Sequence, residues 1–124
     1  MFRLNVRRPC SLRMPTKLLF ICSRNQWRSP TAEAVFQGHA NYEARSAGTS
    51  ESARIRVGPR LLEWADQILV MERKHKAILR AQFPEFRAPS PILVLDIPDE
   101  YQRNDHELIE TLKTRLAELL QIAL

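Results

Sequence analysis

A chain of 124 residues, 44% hydrophobic and 27% charged, has the composition of one ordinary globular domain with a single core. No apolar run approaches the roughly 20 residues that span a bilayer, so a membrane role has no support. The formal charge of +5 owes most to Arg3, Arg7, Arg8 and Arg13, which stand ahead of Met14 with no acidic residue among them. That weakens a nucleic-acid reading, which needs Lys and Arg gathered on one face beside aromatic or groove-reading residues.

Residues 1–13 lack the apolar core of a secretory signal and, being Arg-rich and acid-free, faintly resemble an organelle transit peptide. They are expected to be a dispensable basic tail, with residues 14–124 forming one α/β domain. A natural translation start at Met14, directly ahead of the first strand, fits the same pattern.

Lys17 to Cys22 is a short apolar run that ends in polar residues and predicts a strand buried on both faces. Ser29-Pro30 then offers an N-cap hydroxyl and a proline at the first helical position, and Ala32, Ala34, Val35 and Phe36 supply an apolar face up to Gly38. Tyr42 to Ser46 reads as a second strand and Thr49 to Val57 as a loop. Gly58-Pro59 opens a short helix through Trp64, with Leu61, Leu62 and Trp64 as core candidates; Gln67 to Met71 is a third strand, and the charged stretch Glu72 to Gln82 a helix.

Three prolines between Pro84 and Pro91 punctuate the chain before a fourth strand, Ile92 to Leu95, which Pro98 ends. Asp105 is placed to cap a last helix whose apolar stripe is Leu108, Ile109, Leu112, Leu116, Leu119, Leu120 and Ala123. Strands and helices alternating four times predict a single three-layer domain: a four-stranded parallel sheet, order 2-1-3-4, with helices on both faces. Ligands of such sheets bind beyond the carboxyl ends of the strands, where the strand order reverses, and the loop after the first strand lies there.

Only Cys10 and Cys22 are present, which makes no disulfide framework, no CxxC pair and no zinc ligand set. In a reducing, cytoplasmic compartment the cysteine at the strand end becomes a candidate nucleophile. The segment Cys22-Ser23-Arg24-Asn25-Gln26-Trp27-Arg28-Ser29 sets it before a loop, an arginine six residues on and a helix N-terminus. A loop of this length curls so that its N–H groups and the helix dipole cradle a tetrahedral dianion, and the same field favours a thiolate.

Arg28 would grip two phosphate oxygens with its planar fork, and Ser29 could donate to the departing thiolate. Attack on phosphorus also needs an acid for the leaving group and later a base for water. Asp96 and Asp99, at the carboxyl end of the fourth strand, are both candidates. Trp27 would line the pocket mouth or pack on the first helix. His39, His75 and His106 lack ligand spacing, and no metal or other cofactor is expected.

Leu18 to Phe36 resembles the phosphate loop and first helix of the low-molecular-weight protein tyrosine phosphatases, whose signature is Cys, five residues, Arg, Ser, Pro. Ser46-Ala47-Gly48-Thr49, Ala65 to Glu72 and Asp99-Glu100-Tyr101 are similar to further family segments, in the right order from Lys17 onward. The resemblance implies Cys22 as nucleophile, Arg28 as phosphate ligand, Asn25 as the loop-shaping residue, and Ser29 and Ser46 as hydrogen-bond partners that order the loop. It favours Asp99 as the acid, with Asp96 second.

Against the family pattern, Arg24 replaces a glycine, with expected backbone strain. Trp27 stands where eukaryotic members carry a second cysteine, the middle of the chain is short, and Glu100 replaces a proline. The implied function is a metal-free phosphomonoesterase acting on phosphotyrosine or a related phosphorylated side chain, phosphoarginine included, through a phosphocysteine. Its expected partner is a phosphorylated protein or a small aryl phosphate. The competing readings are a non-catalytic phosphate-binding module, an arsenate reductase, disfavoured because no cysteine follows Cys22, and, from the basic tail alone, a nucleic-acid binder.

Overall fold

The computed structural model of the protein describes residues 15–100 and 105–124. Its element order is β1 (Thr16–Cys22), α1 (Arg28–Val35), β2 (Tyr42–Gly48), α2 (Pro59–Trp64), β3 (Gln67–Val70), α3 (Arg73–Gln82), β4 (Leu93–Val94) and α4 (His106–Leu120). The strands form one parallel sheet in the order β2-β1-β3-β4, as the alternation of elements requires.

β1 is central because Leu18, Leu19, Phe20 and Ile21 are apolar on both faces and fully buried. Side chains alternate along a strand, so Leu18, Phe20 and Cys22 join one core with Ala32 and Phe36 after them and with Leu108, Leu112 and Leu116 of α4. Leu19 and Ile21 join the other core, with Leu62 of α2, Ile68 and Val70 of β3, and Leu79 of α3. This parity sends the Cys22 side chain to the α1 face of the sheet. No helix among the described residues is long and apolar enough to cross a membrane.

Several local expectations shift. Helix α1 begins at Arg28 with Trp27 as its N-cap residue, so Ser29 is not the cap, and its hydroxyl is taken up elsewhere. Pro30 still costs nothing, because the first four helical N–H groups have no partner inside the helix. Ala34 is exposed, so the α1 core face is narrower than its run of apolar residues. β2 runs on to Gly48, and β4 shrinks to two residues.

Trp64 is half-buried, with the Arg45 guanidinium over its ring at 4.4 Å. In α4 the buried core residues are Leu108, Leu112 and Leu116, four apart, with Leu120 packed against them, while Leu119 is 39% exposed and Ala123 lies past the helix end. Asp105 caps α4 as expected, accepting from the Glu107 and Leu108 N–H groups. Cys10, Met14 and Tyr101 lie outside the described residues.

Candidate active site

Strand β1 ends at Cys22; the chain leaving β1 crosses to β2 on one side, and the chain leaving its other neighbour, β3, crosses to β4 in the opposite direction, so a crevice opens at this sheet edge. A cavity of about 200 Å³ occupies it, lined by Cys22, Ser23, Arg24, Gln26, Trp27, Arg28 and Asp99. The chain from Cys22 to Arg28 is turned around this cavity by contacts on its outer side. Thr49 N–H donates to Cys22 O at 3.0 Å, Ser50 N–H to Ser23 O at 2.9 Å and Arg54 N–H to Arg24 O at 3.0 Å. The Arg54 Nε then donates to Asn25 O at 3.1 Å.

Four successive carbonyls are thus held outward, which leaves the loop N–H groups to face inward, the requirement for an oxyanion cradle. Residues Thr49 to Arg54, read from sequence only as a loop, are the template for the Cys22–Arg28 turn. Gly48 makes the close approach possible: a Cβ there would stand 2.5 Å from Ser23 O and 2.7 Å from Ala53 Cβ.

The left-handed turn of the loop falls on Asn25, with φ 55°, and not on Arg24. Asparagine tolerates this region better than most residues, so the strain expected from Arg24 in place of glycine does not arise. Asn25 is fully buried; its N–H donates to Cys22 Sγ at 3.2 Å and its Nδ2 to Ser29 Oγ at 2.8 Å. Ser29 Oγ lies 3.0 Å from Cys22 Sγ and 3.4 Å from its alternative acceptor, Ala47 O. With Asn25 filling a lone pair of that oxygen, the hydroxyl hydrogen is free to point at the nearer sulfur.

Arg28 is 2% exposed, yet fully paired on one edge: Nη1 donates to Glu72 Oε1 at 2.6 Å and to Ile97 O at 2.8 Å. These two bonds fix the guanidinium plane and leave its other edge for an oxyanion, and Nε stands 3.8 Å from Asp99 Oδ1. Burial alone would raise the Glu72 carboxyl, but the Arg28 hydrogen bond and charge, with Lys74 and His75, outweigh it and hold the group below its ordinary value. It is therefore the anionic partner that offsets the cost of burying Arg28.

Of the two candidate acids, Asp99 lines the cavity and Asp96 does not. Asp96 instead supplies the positive φ of 57° that lets the chain leave β4, between the buried Leu95 and Ile97. Ser46 does not reach the loop: its hydroxyl donates to Glu33 on α1 at 2.5 Å, tying β2 to that helix. Trp27 lines the cavity and is 41% exposed, which places it at the mouth.

Two site residues were not anticipated. Glu72 and His75, at the start of α3, form a reciprocal cap in which Glu72 N–H donates to His75 Nδ1 at 3.0 Å. His75 is fully buried, and its Nε2 lies 2.9 Å from Ser23 Oγ. The pattern Glu-x-x-His at the head of a helix was the available signal; nothing in the sequence linked it to the loop. Among the described residues no cluster of His, Cys, Asp or Glu could hold a metal ion.

A parallel α/β sheet with a cysteine at the carboxyl end of its central strand, an amide-lined loop and a buried arginine closing it defines the class of cysteine-dependent phosphatases. Residues 17–65 match the family model described as low molecular weight phosphotyrosine protein phosphatase. The protein-arginine-phosphatase of Bacillus subtilis (strain 168) is 31% identical over 97 residues, covering 56% of this chain and 65% of that protein. That of Geobacillus stearothermophilus is 28% identical over 145 aligned positions, 87% of this chain and 98% of the relative. The solution structure of a low molecular weight protein tyrosine phosphatase from Bacillus subtilis superposes with a TM-score of 0.64 at 26% identity, covering 86% of this chain and 97% of that one. Over residues 17–65 the chain is similar to the low molecular weight phosphotyrosine protein phosphatase family, and over most of its length it shares the fold of that solved structure.

Proposed function

We propose that the protein hydrolyses phosphorylated tyrosine or arginine side chains of proteins through a phosphocysteine intermediate on Cys22. The observation that carries this is the cysteine itself: Cys22 lines the cavity together with Arg28, and its Sγ has Asn25 N–H at 3.2 Å and Ser29 Oγ at 3.0 Å. Such donors stabilise a thiolate and, after transfer, the charge spread over the phosphoryl oxygens.

In the first step the thiolate forms the S–P bond as the P–O or P–N bond to the side chain breaks, and Asp99 gives its proton to the leaving atom. In the second, Asp99 takes a proton from water as the water oxygen attacks phosphorus. The S–P bond breaks, and the thiolate leaves toward the Ser29 hydroxyl. The two curated relatives, both protein-arginine-phosphatases, support testing phosphoarginine beside phosphotyrosine.

The decisive experiment is hydrolysis of an aryl phosphate, a phosphotyrosine peptide and a phosphoarginine peptide by the parent and by Cys22→Ser. Rapid quenching of the parent should place one phosphoryl group on the peptide containing Cys22. The variant should lose at least about a thousandfold in kcat. Turnover that survives the substitution removes the mechanism.

A further inference from the structure

We propose that Ser23 and His75 form a pair that adds a side-chain donor to the loop amides, the Ser23 hydroxyl binding a phosphoryl oxygen and His75 fixing the direction of its hydrogen. The proposal rests on the phosphatase reading and deepens it. Ser23 is the residue that touches substrate; His75 is a positioning residue.

The argument is one of counting protons. His75 Nδ1 accepts from the backbone N–H of Glu72 at 3.0 Å, and a backbone N–H only donates, so Nδ1 carries no hydrogen. In a neutral ring the hydrogen then sits on Nε2, which donates to Ser23 Oγ at 2.9 Å. A hydroxyl has one hydrogen and two lone pairs. With His75 occupying a lone pair, the Ser23 hydrogen must be given elsewhere, and Ser23 lines the same cavity as Cys22 and Arg28.

The neutral ring is favoured by its surroundings. Burial first, then the Arg28 charge, pulls the His75 pKa from 6.5 down to about 4, with Lys74 adding to this and Glu72 and Asp99 opposing it. The start of α3 therefore holds both ends of the phosphate loop. Glu72 fixes Arg28 at its far end, and His75 fixes Ser23 at its near end.

The test uses the full chain and two readouts, hydrolysis of a small aryl phosphate and inhibition by vanadate, in Ser23→Ala, Ser23→Thr, His75→Asn and Ser23→Ala/His75→Asn. Asparagine keeps an acceptor near the Nδ1 position for the Glu72 N–H but falls short of Ser23, which separates helix capping from the contact with the loop. Ser23→Ala should lower kcat/KM about tenfold and weaken vanadate in step, and Ser23→Thr, which keeps the hydroxyl, should recover most of the loss. His75→Asn should lower kcat/KM in the parent background and not in the Ser23→Ala background.

Parental hydrolysis and vanadate inhibition in Ser23→Ala overturn the proposal, as does a His75→Asn loss of equal size in both backgrounds. Should His75→Asn fail to fold, the alanine and threonine variants decide alone. A parent that binds vanadate without turnover sinks the phosphatase reading only, and the pair is then judged by vanadate binding in the same variants.

Discussion

The loop after β1 and the segment after β4 leave the same edge of the sheet and face the same cavity, one carrying Cys22 and the other Asp99. In the first, four successive carbonyls are taken by residues 49–54, and Asn25 and Arg28 are buried with named partners. In the second, the chain is anchored as far as Ile97, whose N–H donates to Met71 O at 2.8 Å and whose carbonyl receives Arg28. Beyond Pro98 the Asp99 side chain is 59% exposed, with one contact at 3.8 Å from Arg28. The fold fixes Cys22, the proposed nucleophile, whereas Asp99, the proposed acid, is free to adjust to a leaving group.

That contrast is most directly broken from its loose side. Asp99→Asn should reduce kcat about a hundredfold or more with little change in stability, because an exposed side chain supplies only the proton. Asp96→Asn should stay within about twofold, since asparagine accepts the same positive φ. A pH–rate profile for the three proteins checks both, and loss of the alkaline limb in Asp96→Asn but not in Asp99→Asn would reverse the assignment.

The rigid side should fail through its template. Gly48→Ala forces a methyl group into Ser23 O and Ala53 Cβ, and should destabilise by about 3 kcal/mol, read as a shift of the urea midpoint at constant m. Activity in the variant that remains folded should fall as well, because the displaced carbonyl belongs to the loop proposed to hold the phosphoryl group.

Acidification should loosen the same side. The unfolded chain protonates His75 near 6.5 and the folded one only near 4, so the unfolded state binds more protons between these values and stability falls as pH falls through the window. Glu72, held below its ordinary value when folded, acts in the same direction at lower pH as its carboxylate is protonated. The loss assigned to His75 is on the order of 3 kcal/mol. Urea midpoints at pH 7 and pH 4 measure it, and His75→Asn should flatten the upper part of the curve.

The smallest effect is expected where the family resemblance pointed to loop support. Ser46→Ala should cost about 1 kcal/mol of stability through the lost bond to Glu33 and leave kcat near the parental value. A large loss of kcat, compared by the same assay, would restore Ser46 to the loop.

Much of the site was legible because its parts are neighbours in the chain. Cys22, Asn25, Arg28 and Ser29 lie within one strand, turn and helix start, so spacing alone brings them together. Spacing alone left Asp96 and Asp99 open and only the family resemblance favoured Asp99; in three dimensions a positive φ sets one apart and a place on the cavity wall the other. Ser29 looked like a helix cap because Ser-Pro is a strong local signal, but the sulfur and Asn25 compete for its hydroxyl and win.

By itself the sequence determined the alternation of strands and helices, the double burial of β1 and the cysteine-to-arginine loop, because these follow from hydrophobic period and from residues close in the chain. Only the tertiary structure decided that residues 49–54 shape the loop from outside, that Glu72 pairs with buried Arg28, and that His75 reaches Ser23. Those contacts join positions some 25 to 50 residues apart, and a pairing of buried polar groups at that distance leaves no period or spacing to read.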